Sequence, residues 1–137
     1  MNKDKRLGYY KKGYPEKQNI VDIFSGNWFC SFPKESNLLS GGNVNAFEDK
    51  RISWAEDKLG AFCGQKILEL GPLEGGHSFM LWKKEASEII SIEADDNAFL
   101  KCLCVKEIFE MKNVTFLNGD FREYLKRNSS ERFDRKL

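Results

Sequence analysis

The chain has 137 residues, 41% of them apolar and 31% charged, with a formal net charge of +1. This length and balance suit one folded domain with its own core and exclude a disordered chain. The near-neutral charge removes the electrostatic case for a nucleic-acid or anionic-lipid partner, and no apolar run is long enough to span a bilayer.

The start, Met1-Asn2-Lys3-Asp4-Lys5-Arg6, is not followed closely by a hydrophobic segment. No secretion signal is therefore expected, and a cytoplasmic location is. Cys30, Cys63, Cys102 and Cys104 form no CxxC pair. They read as buried or half-buried reduced thiols, with no metal site implied.

Residues 1–43 show weak periodicity but carry Tyr9, Tyr10, Tyr14, Phe24, Trp28, Phe29 and Phe32. So many aromatics predict a short helix and loops folded over the main body, as a lid or substrate-side extension. Lys3, Lys5, Arg6, Lys11, Lys12 and Lys17 read as a solvated basic beginning. Leu39 to Asn43 is a turn signal. Asn45 followed by Glu48 fits a helix cap with its reciprocal acid. It opens a helix over 46–62, with Ile52, Ala55, Leu59 and Phe62 on one face and Gly64 closing it.

Residues 66–70 form a strand whose nearly continuous apolar character suits a sheet covered on both sides. A short helix over 77–85 carries Phe79, Leu81 and Trp82, and Trp54 and Trp82 read as core or lid aromatics. A second strand spans 88–93. A strong helix spans 98–111, with Leu100, Leu103, Ile108 and Met111 supplying its apolar surface. A third strand spans 114–117, and a further short helix begins at Phe121. The class is α/β, a Rossmann-like parallel sheet with flanking helices. A fourth buried strand is expected after Phe133-Asp134, but Arg135-Lys136 is a poor start for one. The sheet therefore reads as truncated after its third strand. One flank of the first strand would stay unpaired, which implies possible self-association through the incomplete sheet.

The candidate chemistry lies at the three strand ends. Gly71, Gly75 and Gly76 follow the first strand, where glycine permits positive φ and close ligand approach. The helix start near Gly76-His77-Ser78 offers free N–H groups. Leu73 takes the second-glycine place of GxGxxG, and His77-Ser78 replaces the Lys-Ser/Thr of a triphosphate loop. Glu93 ends the second strand 22 residues after Gly71. A carboxylate there suits the paired hydroxyls of a ribose. Asp120, after the third strand, suits an adenine amino group, with Phe121 beside the base or in the core. Glu69 would bind N–H groups of the glycine loop, or a ligand ammonium through water. His77 is the one histidine, a candidate base or a loop-packing residue.

These elements in this order resemble the N-terminal part of a class I S-adenosylmethionine-dependent methyltransferase, over about residues 45–134. Glu69-Leu70-Gly71-Pro72-Leu73-Glu74-Gly75 resembles that family's acidic, glycine-rich first motif. Glu93 matches its ribose-holding acid, and Gly119-Asp120 its adenine-side motif. The resemblance implies residues 44–137 as part of a cofactor-binding domain, S-adenosylmethionine as cofactor and methyl transfer to an unidentified acceptor. It places Gly71 and Gly75 beside the methionine part of the cofactor and names no catalytic base. Two alternatives stand beside it: a fragment of an NAD-dependent oxidoreductase, and a non-catalytic nucleoside-binding fragment.

Overall fold

The computed structural model describes residues 10–137, so the expectations for Lys3, Lys5, Arg6 and Tyr9 lie outside the described residues. Four parallel strands run in the order β3-β2-β1-β4: β1 (Lys66–Leu70), β2 (Glu88–Glu93), β3 (Val114–Asn118) and β4 (Arg135–Lys136). The connections are α3 (Gly76–Lys83), α4 (Asp96–Phe109) and α5 (Phe121–Arg127). Before the sheet come α1 (Lys17–Asp22), two 3-10 turns (Lys34–Ser36 and Ala46–Glu48) and α2 (Lys50–Leu59). The register sets Ile67 beside Ile89 and Ile89 beside Val114.

Strand alternation splits the apolar residues into two cores. Ile67, Ile89, Val114 and Phe116 pack with Phe79 and Leu81 of α3 and with Cys102, Val105 and Ile108 of α4. Leu68, Ile90 and Ile92 face the other way, onto Leu70, Tyr124, Leu125 and Phe133. Both faces of β1 and β2 are thus covered, which explains their nearly continuous apolar character, while β3 buries only alternate residues.

The N-terminal stretch joins the larger core. Val21, Trp28, Cys30, Phe32 and Phe47 are buried in it. The Trp28 indole N–H donates to the Val21 carbonyl at 2.8 Å. Ring centroids run from Trp28 to Phe32 (5.0 Å), Phe47 (5.0 Å), Phe79 (5.4 Å) and Phe109 (4.6 Å) in succession. These spacings suit favourable aromatic pairs.

Several expectations are corrected. The helix over 46–62 is a 3-10 turn followed by α2, and its cap is Asp49, whose carboxylate accepts from Arg51 N at 2.9 Å. Glu48 instead accepts from Lys34 N at 3.1 Å. The chain breaks there because Ala46 lies hard against Gly76: a β-carbon on Gly76 would sit 2.7 Å from Ala46. Gly60 (φ 95°), not Gly64, ends α2. On α4 the buried stripe is Ala98, Lys101, Cys102, Val105 and Ile108, while Leu100 and Leu103 are exposed. Trp54 is 63% exposed and outside the core, whereas Trp82 packs against it.

The sheet also runs one strand further than the three expected. β4 pairs with β1 through Asp134 N to Lys66 O, Leu137 N to Leu68 O and Leu70 N to Leu137 O, each 2.8 Å. Arg135 is accommodated because its guanidinium reaches the Leu59 carbonyl. The flank of β1 that motivated self-association is therefore occupied, and β3 and β4 are the outer strands. Among the described residues no helix is long and apolar enough to cross a membrane.

The contact between α3 and the 46–48 turn is directly testable. Gly76→Ala should lower stability by about 1–3 kcal/mol, the usual cost of overpacking, in a urea melt. A stability equal to the parent's would contradict the close approach of the two backbones.

Candidate functional site

The carboxyl ends of β1, β2 and β3 lie side by side because the strands are parallel and in register. Connecting loops in such sheets form ligand crevices at this end. The loop after β1 turns through three left-handed residues, Gly71 (φ 72°), Leu73 (φ 57°) and Gly75 (φ 87°). Glycine carries that conformation freely, but leucine does not. Leu73 is held there from both sides. Its N–H donates to Glu93 Oε2 at 2.8 Å, and its carbonyl accepts from the Cys102 thiol at 3.2 Å. Gly71 N donates to Ile92 O at 2.9 Å, tying the loop's entry to β2.

Glu93 is the hub of this end. Oε2 takes the Leu73 N–H and Oε1 takes the Asp95 N–H at 3.0 Å. Its carbonyl accepts from Gly119 N and from the Asn118 side chain, both at 3.0 Å. A carboxylate has about four acceptor positions, so two backbone bonds orient the group without filling it. Asp95 caps α4 by accepting from Ala98 N at 2.8 Å, which separates its role from that of Glu93.

Asp120 caps α5 by accepting from Arg122 N at 2.8 Å. The Arg122 guanidinium also donates to both its oxygens, at 2.7 and 3.1 Å. These hydrogen bonds pull the carboxyl pKa down to about 2. Phe121 is 39% exposed and belongs to neither core, so its ring does not have the core role.

Glu69 differs from expectation. It is 5% exposed, and its Oε1 accepts from the Ser78 hydroxyl and from the Ser91 hydroxyl at 2.7 Å, not from loop N–H groups. Burial pushes its carboxyl pKa up, against the two serine bonds. His77 is engaged too. Its Nε2 lies 2.9 Å from Asp49 Oδ2, which joins the start of α3 to the start of α2.

By sequence the chain matches no family model and no curated protein. By structure it is similar to the N-terminal domain of EvdMO1, solved in the presence of SAH and D-fucose. There the TM-score is 0.68, with 25% identity over 88% of this chain and 50% of that one. The same domain solved with SAH bound gives a TM-score of 0.68 and 26% identity, over 88% and 51%. A putative SAM-dependent methyltransferase from Streptococcus mutans gives a TM-score of 0.54 and 21% identity, over 72% and 28%. The chain has the class I S-adenosylmethionine-dependent methyltransferase fold. It spans about half the length of the EvdMO1 domain chains it matches.

Within this methyltransferase fold, one residue of the first motif was missed by sequence reasoning. Glu74, next to Leu73, is 1% exposed. Its carboxylate accepts from Cys30 N at 2.8 Å, from Phe29 N at 3.1 and 3.2 Å, and from the Lys101 ammonium at 2.7 Å. Lys101 is equally buried, donates also to the Asn27 carbonyl, and lies 5.5 to 5.7 Å from the rings of Trp28, Phe29 and Phe24. Burial, followed by the Glu74 carboxylate, pushes the Cys30 thiol up to about 12. The sequence carried no spacing signal for this pair, because the apolar stripe read for α4 did not include Lys101, which the helix buries.

The Asp120–Arg122 pair has a pH signature. A depressed carboxyl stabilises the fold above its unfolded pKa, and that contribution fades as pH falls toward 2. Carboxyl NMR should show Asp120 titrating near 2, and Arg122→Ala should return it toward about 3.9. An ordinary value in the parent chain would contradict the pairing.

Proposed function

We propose that this chain is the cofactor-binding part of an S-adenosylmethionine-dependent methyltransferase. One observation carries the reading. The glycine loop, Glu93 and Asp120 stand at three adjacent parallel strand ends, and Glu93 is bonded to the loop at 2.8 Å. Glu93 would accept the two ribose hydroxyls with its remaining acceptor positions. Asp120 would take the adenine amino group, with Phe121 along the base. A β-carbon on Gly71 would meet nothing within 4 Å, so the loop from Gly71 to Gly75 would leave room there for the amino-acid part, and Glu69 would receive its ammonium through water. Residues 1–43 would serve as a substrate-side extension, fixed to the core through Val21, Trp28, Cys30 and Phe32, and residues 44–137 would hold the cofactor.

The bound cofactor would supply a methyl group already activated on a sulfonium. The chain's residues then have to orient it and exclude unproductive geometry, and none of these acids needs to exchange a proton. The presence of D-fucose in one EvdMO1 structure makes a sugar hydroxyl the first acceptor to test. The NAD reading fits less well, because Leu73 occupies the second-glycine place and Gly119-Asp120 has no part in it.

Calorimetric titration separates the readings. S-adenosylhomocysteine should bind saturably, NAD should not, and Glu93→Ala should weaken binding about tenfold or more through lost charge-assisted bonds. Saturable binding of NAD alone would overturn the proposal.

A further inference from the structure

Three parts of the chain that are distant in sequence meet at one buried charge. Glu74 belongs to the glycine loop, Lys101 to the second turn of α4, and Asn27 to Cys30 to the N-terminal segment. The Glu74 carboxylate accepts from two backbone N–H groups of the segment and from the Lys101 ammonium, while Lys101 also donates to the Asn27 carbonyl. The next residue along α4, Cys102, bonds the Leu73 carbonyl, and the Leu73 N–H bonds Glu93. The left-handed turn at Leu73 is therefore flanked on its chain by a residue that cannot move without breaking this buried centre. An ion pair sealed from water tolerates little displacement, because either charge left alone meets a large desolvation cost.

We propose that Glu74 is a positioning residue for the cofactor loop, locking its left-handed form by anchoring it to Lys101 and to residues 27–30. This rests on the cofactor reading above for its functional consequence, though not for the coupling itself. Loop and segment form one unit, so ordering either one orders the other. Cofactor affinity then depends on a stretch of chain that lies before the methyltransferase motifs. Phe29, whose N–H is fixed by Glu74 while its side chain is 62% exposed, is held at this junction.

The test uses the full chain and three variants, Glu74→Met, Lys101→Met and the double variant. Each single variant strands one buried charge, so both should lose stability. The double variant strands none and should recover most of it, because removing both members of a buried pair is often nearly neutral. A purely structural pair would then leave the loop as in the parent. A positioning role predicts that amide exchange at Leu73 and Gly75 stays faster by about tenfold, the worth of one lost charge-assisted bond. S-adenosylhomocysteine should bind about tenfold more weakly to that variant for the same reason. Parent-like exchange at Leu73 and Gly75 in a stable double variant would overturn the proposal. If the parent itself fails to bind S-adenosylhomocysteine, the cofactor reading falls, and the exchange rates still decide the coupling.

A second measurement needs no variant. Native-state exchange of the parent, followed through increasing urea, should release Phe29, Cys30, Leu73 and Gly75 in one step. Release of Phe29 and Cys30 well before Leu73 and Gly75 would overturn the proposal even if the double variant does not fold.

Discussion

The buried pair between Glu74 and Lys101 is the constraint on which the arrangement of this chain turns. Both side chains are almost wholly removed from solvent, and they lie 2.7 Å apart. Such a pair is weak evidence for net stability, since its desolvation can equal its attraction. Breaking it from one side is nevertheless expensive, about 3–5 kcal/mol, because the remaining charge is left buried and unpaired. The Phe29 and Cys30 N–H groups and the Asn27 carbonyl supply the further bonds that a buried pair requires. The N-terminal stretch is thus part of the body that carries the glycine loop. Its aromatics, from Trp28 through Phe32 and Phe47 to Phe79, continue the same core.

The loop itself illustrates a local cost accepted for geometry. Leu73 stands in left-handed backbone where a glycine would be free, at a cost of roughly 1–2 kcal/mol. Three contacts offset it: Glu93 on its N–H, Cys102 on its carbonyl, and the anchored Glu74 next in sequence. The leucine side chain, 44% exposed, is thereby presented at the strand ends. A glycine there would give a more mobile loop, and the same bonds would have less to hold.

Much of this was legible in the sequence. The apolar runs 67–70 and 89–92 were legible as strands because both faces of β1 and β2 are covered, whereas 114–117 was legible from its β-branched and aromatic residues although β3 buries only alternate positions. The placement of Glu93 and Asp120 at strand ends followed from those runs. The helix ends were less legible. Asn45 and Glu48 form a good capping pattern, but the packing of Ala46 against Gly76 overrode it and handed the cap to Asp49. The place of β4 after Phe133-Asp134 was legible, but two adjacent cations look wrong for a buried strand and argued against it. Glu69 was found, but its serine partners were not, since Ser78 and Ser91 carry no spacing signal. Glu74 and Lys101 are far apart in sequence, and one charge of a pair does not reveal the other.

The central claim is that one nucleoside cofactor sits across the ends of β1, β2 and β3. Backbone amide shifts of the parent chain, followed by NMR during titration with S-adenosylhomocysteine, test it most directly. The account predicts saturating shifts centred on Leu73, Glu93, Asp95, Gly119 and Phe121, with little change in the β4 region around Asp134. Shifts confined instead to the groove lined by Phe47, Met80 and Lys83, with Glu93 and Gly119 unmoved, would contradict it.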